Sequence, residues 1–312
     1  MKIAAWCQEW SDSFLKKSAQ LGINCLDHVP VPQVAEGYPD LDGLLEVRKR
    51  LRSWGLDWHR MSLPQFSEDF MKAESDAELD RVCNWMEIYA QAGIPIIRAA
   101  FANDRFTGMD TLYEATHRGD YVFVGRSKIS PPCNNGPPSS SVLELWWERF
   151  RVAYSRLVPI AEDYDVKLVM HPSDPPHPDS LFGGLGFHRI IDSFPSRNVG
   201  YLYCCGTRSE AGGWPLVLDE IHKYGREGRL HAIHFRNTRG SFATAGAYEE
   251  VLMNDGDVNL FRVIKALKNV GFNGCLNYDH IPKLEGDEKS VDQSLAYSVG
   301  YMKALLAAAD ST

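Results

Sequence analysis

Short apolar runs alternate with longer amphipathic segments along most of the chain. Each apolar run is typical of a buried β-strand, and each longer segment repeats its apolar positions at helical spacing. The predicted strands are residues 2–7, 24–29, 56–63, 95–101, 167–171, 199–205, 230–236 and 274–279. The predicted helices are residues 12–22, 41–55, 74–93, 142–163, 187–194, 214–225, 259–271 and 290–309. Strands separated by helices favour parallel pairing, and eight such units favour a closed (β/α)8 TIM barrel of the α/β class.

A doubly wound open sheet is the competing architecture for the same alternation. It would normally carry a glycine-rich phosphate turn after its first strand, but AWCQEWSD (5–12) contains no glycine. The chain fits a single barrel domain, residues 1–312, because such barrels have roughly 250 residues and grow by loop insertion. We predict one long loop insert at about 102–140, which includes the helix-breaking run SPPCNNGPPSSS (130–141). A segment of this kind is typical of a lid, a binding loop or a disordered insert.

The composition narrows the class of protein. A net charge of −8 argues against nucleic-acid binding, because nucleic-acid surfaces are usually basic. The opening MKIAAWCQEW does not have the form of a signal peptide, and no run reaches the roughly 20 apolar residues that cross a bilayer. The seven cysteines include no CxxC pair, which is typical of a reduced protein without a structural zinc finger. We therefore expect a cytoplasmic protein that binds neither nucleic acid nor membrane.

Four successive predicted strands end at residues that can bind a divalent ion: His171, Cys204, His234 and Asp279. Each has an ordinary structural explanation when taken alone, such as a buried cysteine or a capping aspartate. Together they indicate a metal site, because the carboxyl ends of barrel strands are where such enzymes keep their chemistry. Two imidazoles, a thiolate and a carboxylate suit Mn, Fe, Co or Zn better than Mg or Ca. Cys205 competes for the ligand role, since successive side chains of a strand face opposite ways.

Two residues next to the predicted ligands are candidates for catalysis. His280 directly follows Asp279, and its ordinary pKa of about 6.5 suits an acid or base. The alternative for His280 is to orient a ligand. Arg236 is suited to hold a substrate carboxylate in a two-pronged contact, and a salt bridge at the barrel rim is the equally reasonable alternative.

Four more residues at the same strand ends are candidates for substrate binding. Ser173 and Asp174 follow His171 and either hydrogen-bond substrate hydroxyls or close a turn before Pro175. Asn237 follows Arg236, and His28 ends the second predicted strand.

Several of these segments resemble the mannonate dehydratase family. The motifs that carry the resemblance are LGINCLDHVPVP (21–32), MHPSDPP (170–176), CCGT (204–207), HFRNT (234–238), GDVNLFRVIKAL (256–267) and YDH (278–280). The similarity covers most of the chain and is strongest from about 167 to 282. It implies a xylose-isomerase-like barrel that binds Mn²⁺ through the four predicted ligands, with His280 as a proton carrier. It also implies loss of water from the sugar acid D-mannonate, giving 2-keto-3-deoxygluconate, and a dimer or larger homo-oligomer.

The chain departs from the family pattern at the substrate side. Where the family has a Ser-Phe-His-Glu stretch, this chain reads SFATAG (241–246), so a histidine and an acid are expected to be missing. After YDH it continues IPKLEG (281–286) instead of a glycine and another histidine, and Tyr297 is only an approximate counterpart of the family's tyrosine. A metal-dependent sugar isomerase or epimerase is therefore the alternative function. A barrel that binds a sugar or a partner protein without turnover is a third.

Overall fold

Eight parallel strands close into a barrel in this computed structural model, which describes residues 1–102, 108–129 and 136–311. The strands of the barrel and of a second sheet, in chain order, are β1 (Lys2–Trp6), β2 (Cys25–Asp27), β3 (Asp57–Ser62), β4 (Ile96–Arg98), β5 (Thr111–Thr116), β6 (Val122–Ser127), β7 (Lys167–Met170), β8 (Val199–Cys204), β9 (Leu230–His234), β10 (Asn237–Ser241), β11 (Ala247–Val251) and β12 (Cys275–Asn277). The barrel follows the order β1-β2-β3-β4-β7-β8-β9-β12 and closes from β12 back to β1. The expected (β/α)8 barrel is confirmed, and the open sheet is excluded.

Helices connect the barrel strands. They are α1 (Asp12–Leu21), α2 (Leu41–Ser53), α3 (Glu68–Met71), α4 (Leu79–Gln91), α5 (Ser140–Asp163), α6 (Leu185–Ser193), α7 (Cys205–Gly212), α8 (Trp214–Arg226), α9 (Phe242–Ala245), α10 (Leu260–Asn269) and α11 (Asp292–Asp310). Their ends follow local chemistry: Ser11 accepts a hydrogen bond from the Phe14 amide to begin α1, and Gly22 ends it with φ of +79°. The short helices α3, α7 and α9 were not expected. No helix among the described residues is long and apolar enough to cross a membrane.

Alternation of side chains along the strands separates the barrel interior from the shell that faces the helices. One interior layer is formed by Ile96, Val169, Leu202 and Ala232, and another by Ala4, Cys25 and Cys275. The neighbours of these residues along each strand, such as Leu168 and Tyr203, point the other way and belong to the larger hydrophobic core. Two residues beyond Val169, Leu202 and Ala232, on the same inward face, are His171, Cys204 and His234 at the mouth of the barrel. The fold therefore brings these three side chains to one site.

Part of the loop insert expected at about 102–140 forms strands of a second sheet. Strands β5 and β6 form an antiparallel hairpin, and β10 and β11 extend it into a four-stranded sheet in the order β10-β11-β6-β5. TLYEAT (111–116) is rich in threonine and tyrosine, which favour strands, but the breakers around it obscured this signal. Residues 103–107 and 130–135 of the expected insert lie outside the described residues.

Candidate metal centre

The four predicted ligands come together at the mouth of the barrel. One ligand atom from each of His171, Cys204, His234 and Asp279 lies within 4.8 Å of the other three, and all four residues are buried. Strand register explains part of this convergence, because Cys204 of β8 pairs with His234 of β9, which in turn pairs with Asn277 of β12. Asp279 lies two residues beyond Asn277, on the same inward face.

The side chain of Asp279 is oriented by a left-handed backbone conformation. Its φ is +60°, a region that non-glycine residues rarely adopt, and its amide donates to Oδ1 of Asn277 at 2.9 Å. Its carboxylate lies 3.1 Å from Nδ1 of His234 and 3.7 Å from Sγ of Cys204. Burial alone would raise the pKa of Asp279, but the nearby His234 and His280 lower it well below its usual range. The carboxylate is thus ionised.

The two histidines present neutral nitrogen donors. Nδ1 of His171 donates to the Pro172 carbonyl at 2.7 Å, which leaves Nε2 as the available ligand atom. Burial, with help from Arg98, lowers the pKa of His171 well below its usual range, so the ring stays neutral with its one hydrogen on Nδ1. Both ring nitrogens of His234 are buried; Nδ1 faces the Asp279 carboxylate at 3.1 Å, and Nε2 has no hydrogen-bond partner among the described residues. An orphaned buried nitrogen is costly, and a metal–ligand bond would satisfy it.

Cys204 completes the set. Its Sγ accepts hydrogen bonds from the amide of Thr207 at 3.3 Å and from the Thr207 hydroxyl at 3.2 Å, which caps α7. Burial raises the pKa of the thiol well above its usual range, an effect only partly offset by Arg236. A bound cation would reverse this balance, because a coordinating thiol loses its proton. The neighbouring Cys205 instead packs into the hydrophobic core at the start of α7. For this reason β8 ends at Cys204, one residue before the predicted strand 199–205 would end.

These observations fit a divalent metal. The donor set is two neutral imidazoles, one thiol and one carboxylate, and Nε2 of His234 has no hydrogen-bond partner in the described part of the chain.

His280 lies beside the ligands and faces solvent with 42% of its side chain. Its Nδ1 donates to Oε2 of Glu250 at 2.8 Å, and its Nε2 lies 3.8 Å from Asp279. The charge of Asp279, together with the Glu250 hydrogen bond, outweighs partial burial and raises the pKa of His280 to about 9. A cation on Asp279 would weaken this effect.

Arg236 is occupied by protein carboxylates. It is buried, with Nε 3.1 Å from Asp279, Nη2 3.1 Å from the Thr207 hydroxyl and Nη1 in an ion pair with Glu210. Asp174 is a further partner at 3.5 Å. The three guanidinium nitrogens are thus engaged by protein groups, which favours the salt-bridge alternative over the expected grip on a substrate carboxylate.

The four expected substrate contacts divide into two pairs. Asp174 lines the cavity above the ligands, and His28 stacks on Trp6 at the inner rim with its Nε2 unpartnered among the described residues. Oγ of Ser173 accepts a hydrogen bond from the Phe182 amide at 3.0 Å, across a loop of nine residues, and its contact with a substrate stays a prediction. Asn237 donates both amide hydrogens to the carbonyls of Met253 and Val258. These two bonds use both amide hydrogens of Asn237 to hold the segment that follows β11, and its contact with a substrate stays a prediction.

A cavity of about 500 Å³ opens over the ligands. Its lining comes from the barrel mouth and from the second sheet: Gln8, Leu112, Phe123, Val124, Arg126, Asp174, Glu250, Tyr278, Asp279, His280, Ile281 and Val291. Arg126 and Glu250 were not predicted from the sequence. An acid was expected to be missing near residues 241–246, and the structure places Glu250 of β11 beside His280. Its strand, AYEEV (247–251), does not alternate polar and apolar residues, so no local pattern marked Glu250.

Glu210 of α7 lies behind the cavity, in contact with Arg236. Burial, reinforced by Asp174 and Glu250, outweighs the effect of Arg236 and raises the pKa of Glu210 to about 8. The mouth of the barrel is thus rich in carboxyl groups.

Comparison with known proteins agrees with this geometry. The family model described as D-mannonate dehydratase (UxuA) matches residues 142–311. A relative from Halalkalibacterium halodurans, named mannonate dehydratase 2, is 28% identical over 284 residues, covering 86% of this chain and 76% of that protein. Shorter alignments with relatives from Thermotoga species span 39% of those proteins' own length.

Solved structures show the same fold. The crystal structure of mannonate dehydratase from Streptococcus suis matches with a TM-score of 0.82 at 20% identity, covering 99% of this chain and 95% of that one. A D-tagatose 3-epimerase-like protein matches with a TM-score of 0.64 at 16% identity over 100% of this chain and 99% of that one. The likeness to the epimerase is weaker and shows the barrel alone.

Proposed function

Since this chain belongs to the D-mannonate dehydratase family, we propose that it is a metal-dependent hydro-lyase that converts D-mannonate or a related aldonate to the 2-keto-3-deoxy acid. The observation that carries the proposal is the convergence of His171, Cys204, His234 and Asp279 beneath an open cavity. Mn²⁺ is the ion we propose, with Fe²⁺, Co²⁺ and Zn²⁺ as the ions that the same donors accept.

The reaction needs a proton removed next to a carboxylate and a hydroxyl expelled from the adjacent carbon as water. The enol that remains then becomes the 2-keto acid. When bound to the four ligands, the cation would supply positive charge to the substrate oxygens. The protein itself must hold the acid group, exclude other proton donors and move a proton at a defined atom.

His280 is the residue that we propose moves the proton. Glu250 holds its Nδ1, so Nε2 is the nitrogen left free on the cavity side. An imidazole at this place can take the proton from the carbon next to the carboxylate and deliver it to the departing hydroxyl, so that both leave as water. Glu250 keeps the ring in one orientation. Arg236 acts behind the ligands, because its contacts with Asp279 and Thr207 hold the carboxylate and the cap of Cys204 in place.

The direct test is product analysis. Protein loaded with Mn²⁺ and incubated with D-mannonate and related hexonates is expected to give 2-keto-3-deoxy acids, detected by mass spectrometry as loss of water. Absence of product from every aldonate would contradict the proposal. Solvent hydrogen entering a free sugar without water loss would instead identify an isomerase or epimerase.

A variant separates chemistry from metal binding. His280→Gln is expected to lower kcat by about 10²- to 10⁴-fold, because a positioned acid or base contributes that much. Its metal affinity should remain close to that of the unmodified protein, since the imidazole lies outside the four ligands. Equal loss of metal and activity would assign His280 to the metal site instead.

A further inference from the structure

The second sheet places one cationic side chain over the cavity. Arg126 lies on β6, directly opposite Leu112 of β5 and Tyr248 of β11. Because side chains alternate along strands, these residues share the sheet face that also carries Glu250. Arg126, Leu112 and Glu250 all line the cavity above the ligands.

An anionic substrate in this cavity needs a positively charged partner, because most of the charged lining residues are acidic. Its charged lining residues are Asp174, Glu250, Asp279, His280 and Arg126. A divalent cation at the ligands would be matched in charge by the Cys204 thiolate and Asp279. Among the described lining residues, Arg126 is then the one side chain with a permanent positive charge. Arg236 is buried beneath the cavity and already surrounded by carboxylates.

The guanidinium of Arg126 is held from one side. Its Nη1 donates to Oδ1 of Asp110 at 2.8 Å, and the other oxygen of Asp110 accepts from Nε2 of His177 at 2.8 Å. Asp110 and His177 are almost fully buried, whereas Arg126 keeps 24% of its side chain exposed. Burial alone would raise the pKa of Asp110, but the His177 and Arg126 contacts lower it, so the anchor is ionised.

The remaining nitrogens of Arg126 are available. No hydrogen bond from Nε or Nη2 to another described residue is present, and both belong to a side chain that faces the cavity. Across the strand pair, the buried hydroxyl of Tyr248 also lacks a partner among the described residues. A planar guanidinium with one free edge matches the two oxygens of a carboxylate.

We propose that Arg126 binds the carboxylate group of the sugar acid and selects acids over neutral sugars of the same shape, with Asp110 as the residue that positions it. This inference rests on the proposed function for its substrate class. It moves the acid-binding role from Arg236, where the sequence placed it, to the second sheet.

Steady-state kinetics on the Mn²⁺-loaded enzyme test the inference. Arg126→Gln is expected to raise the KM for D-mannonate by about 10- to 100-fold, the worth of a charge-assisted hydrogen-bond pair, with a smaller change in kcat. Arg126→Lys should recover part of the loss, because it restores the charge without the fork. Arg118→Gln is the matched control, since Arg118 lies at the turn of the same hairpin, half exposed, and contacts Asn254.

The neutral analogue D-mannitol supplies the discriminating measurement. Its inhibition constant should change by no more than about twofold in Arg126→Gln, because it has no carboxylate to lose. Equal weakening of D-mannitol and D-mannonate would overturn the proposal, as would an unchanged KM for D-mannonate. Thermal unfolding of each variant verifies that it is folded.

Calorimetric titration separates this inference from the proposed function. If the unmodified protein binds D-mannonate without turnover and Arg126→Gln loses that binding, the dehydratase proposal fails and the role of Arg126 stands. If turnover is found and Arg126→Gln binds D-mannonate as tightly as the unmodified protein, the role of Arg126 fails.

Discussion

Replacing Cys204 or Cys205 by serine is the same chemical change, but we expect the first to weaken metal binding and the second to lower stability. Cys204→Ser replaces a soft anionic ligand by a neutral hydroxyl, while Cys205→Ser places a hydroxyl in the hydrophobic core. Losing a direct ligand should exceed the 10- to 100-fold typical of losing a residue behind it, so we expect metal affinity to fall by about 100-fold or more for Cys204→Ser.

The expected cost of Cys205→Ser is in stability. Burying an unpaired hydroxyl costs about 1–3 kcal/mol. With roughly 2.1 cal/mol/K of unfolding entropy per residue over 312 residues, this corresponds to a fall in Tm of about 2–5 °C. Its metal affinity should stay unchanged.

Two measurements on each variant decide the matter: metal affinity by competition with a chelator, and Tm by calorimetry of the metal-free protein. Loss of metal by Cys205→Ser with retention by Cys204→Ser would show that the register of β8 is wrong by one residue. Full metal affinity in both variants would refute the four-ligand site.

Two further predictions follow from hydrogen bonds described by the structure. Thr207→Val removes the hydroxyl that donates to Cys204 and should weaken metal binding by about tenfold, measured by the same chelator competition; an unchanged affinity would show that this contact does not orient the sulfur. Asp287 accepts hydrogen bonds from the Gln293 and Ser294 amides, and although burial would raise its pKa, the Ser294 hydroxyl and these amides lower it. Because the folded pKa lies below the unfolded one, this stabilisation is present above about pH 4 and is lost as pH falls. The Tm gap between the unmodified protein and Asp287→Asn should therefore narrow in acid, and a constant gap would contradict the assignment.

The barrel could be predicted from sequence because its strands are buried on both faces. Runs such as VGYLYC (199–204) are apolar without interruption, and an amphipathic helix follows each one. The ligand positions followed from the same property, since the end of each run marks the barrel mouth. The position of Cys204 relative to Cys205 depended only on alternation within a single strand.

The second sheet could not be predicted in the same way. Its hairpins are separated by more than a hundred residues, and their antiparallel register brings Arg126 opposite Tyr248. Nothing local to residue 126 indicates that it reaches the barrel mouth. The partners of Arg236 and Asn237 could not be predicted for a related reason. Glu210 lies on α7, a helix that was not expected, and the Val258 carbonyl comes from a loop 21 residues further along the chain. The choice of Mn²⁺, the homo-oligomer and the cytoplasmic location stay predictions.

Metal dependence of water loss tests the central claim most directly. Metal-free protein is titrated with Mn²⁺ at saturating D-mannonate, and formation of 2-keto-3-deoxygluconate is followed. We predict a rate that rises in proportion to added Mn²⁺ and levels off at one ion per chain, because the four ligands form one site. A full rate in excess chelator, or no product at full occupancy, would contradict the account.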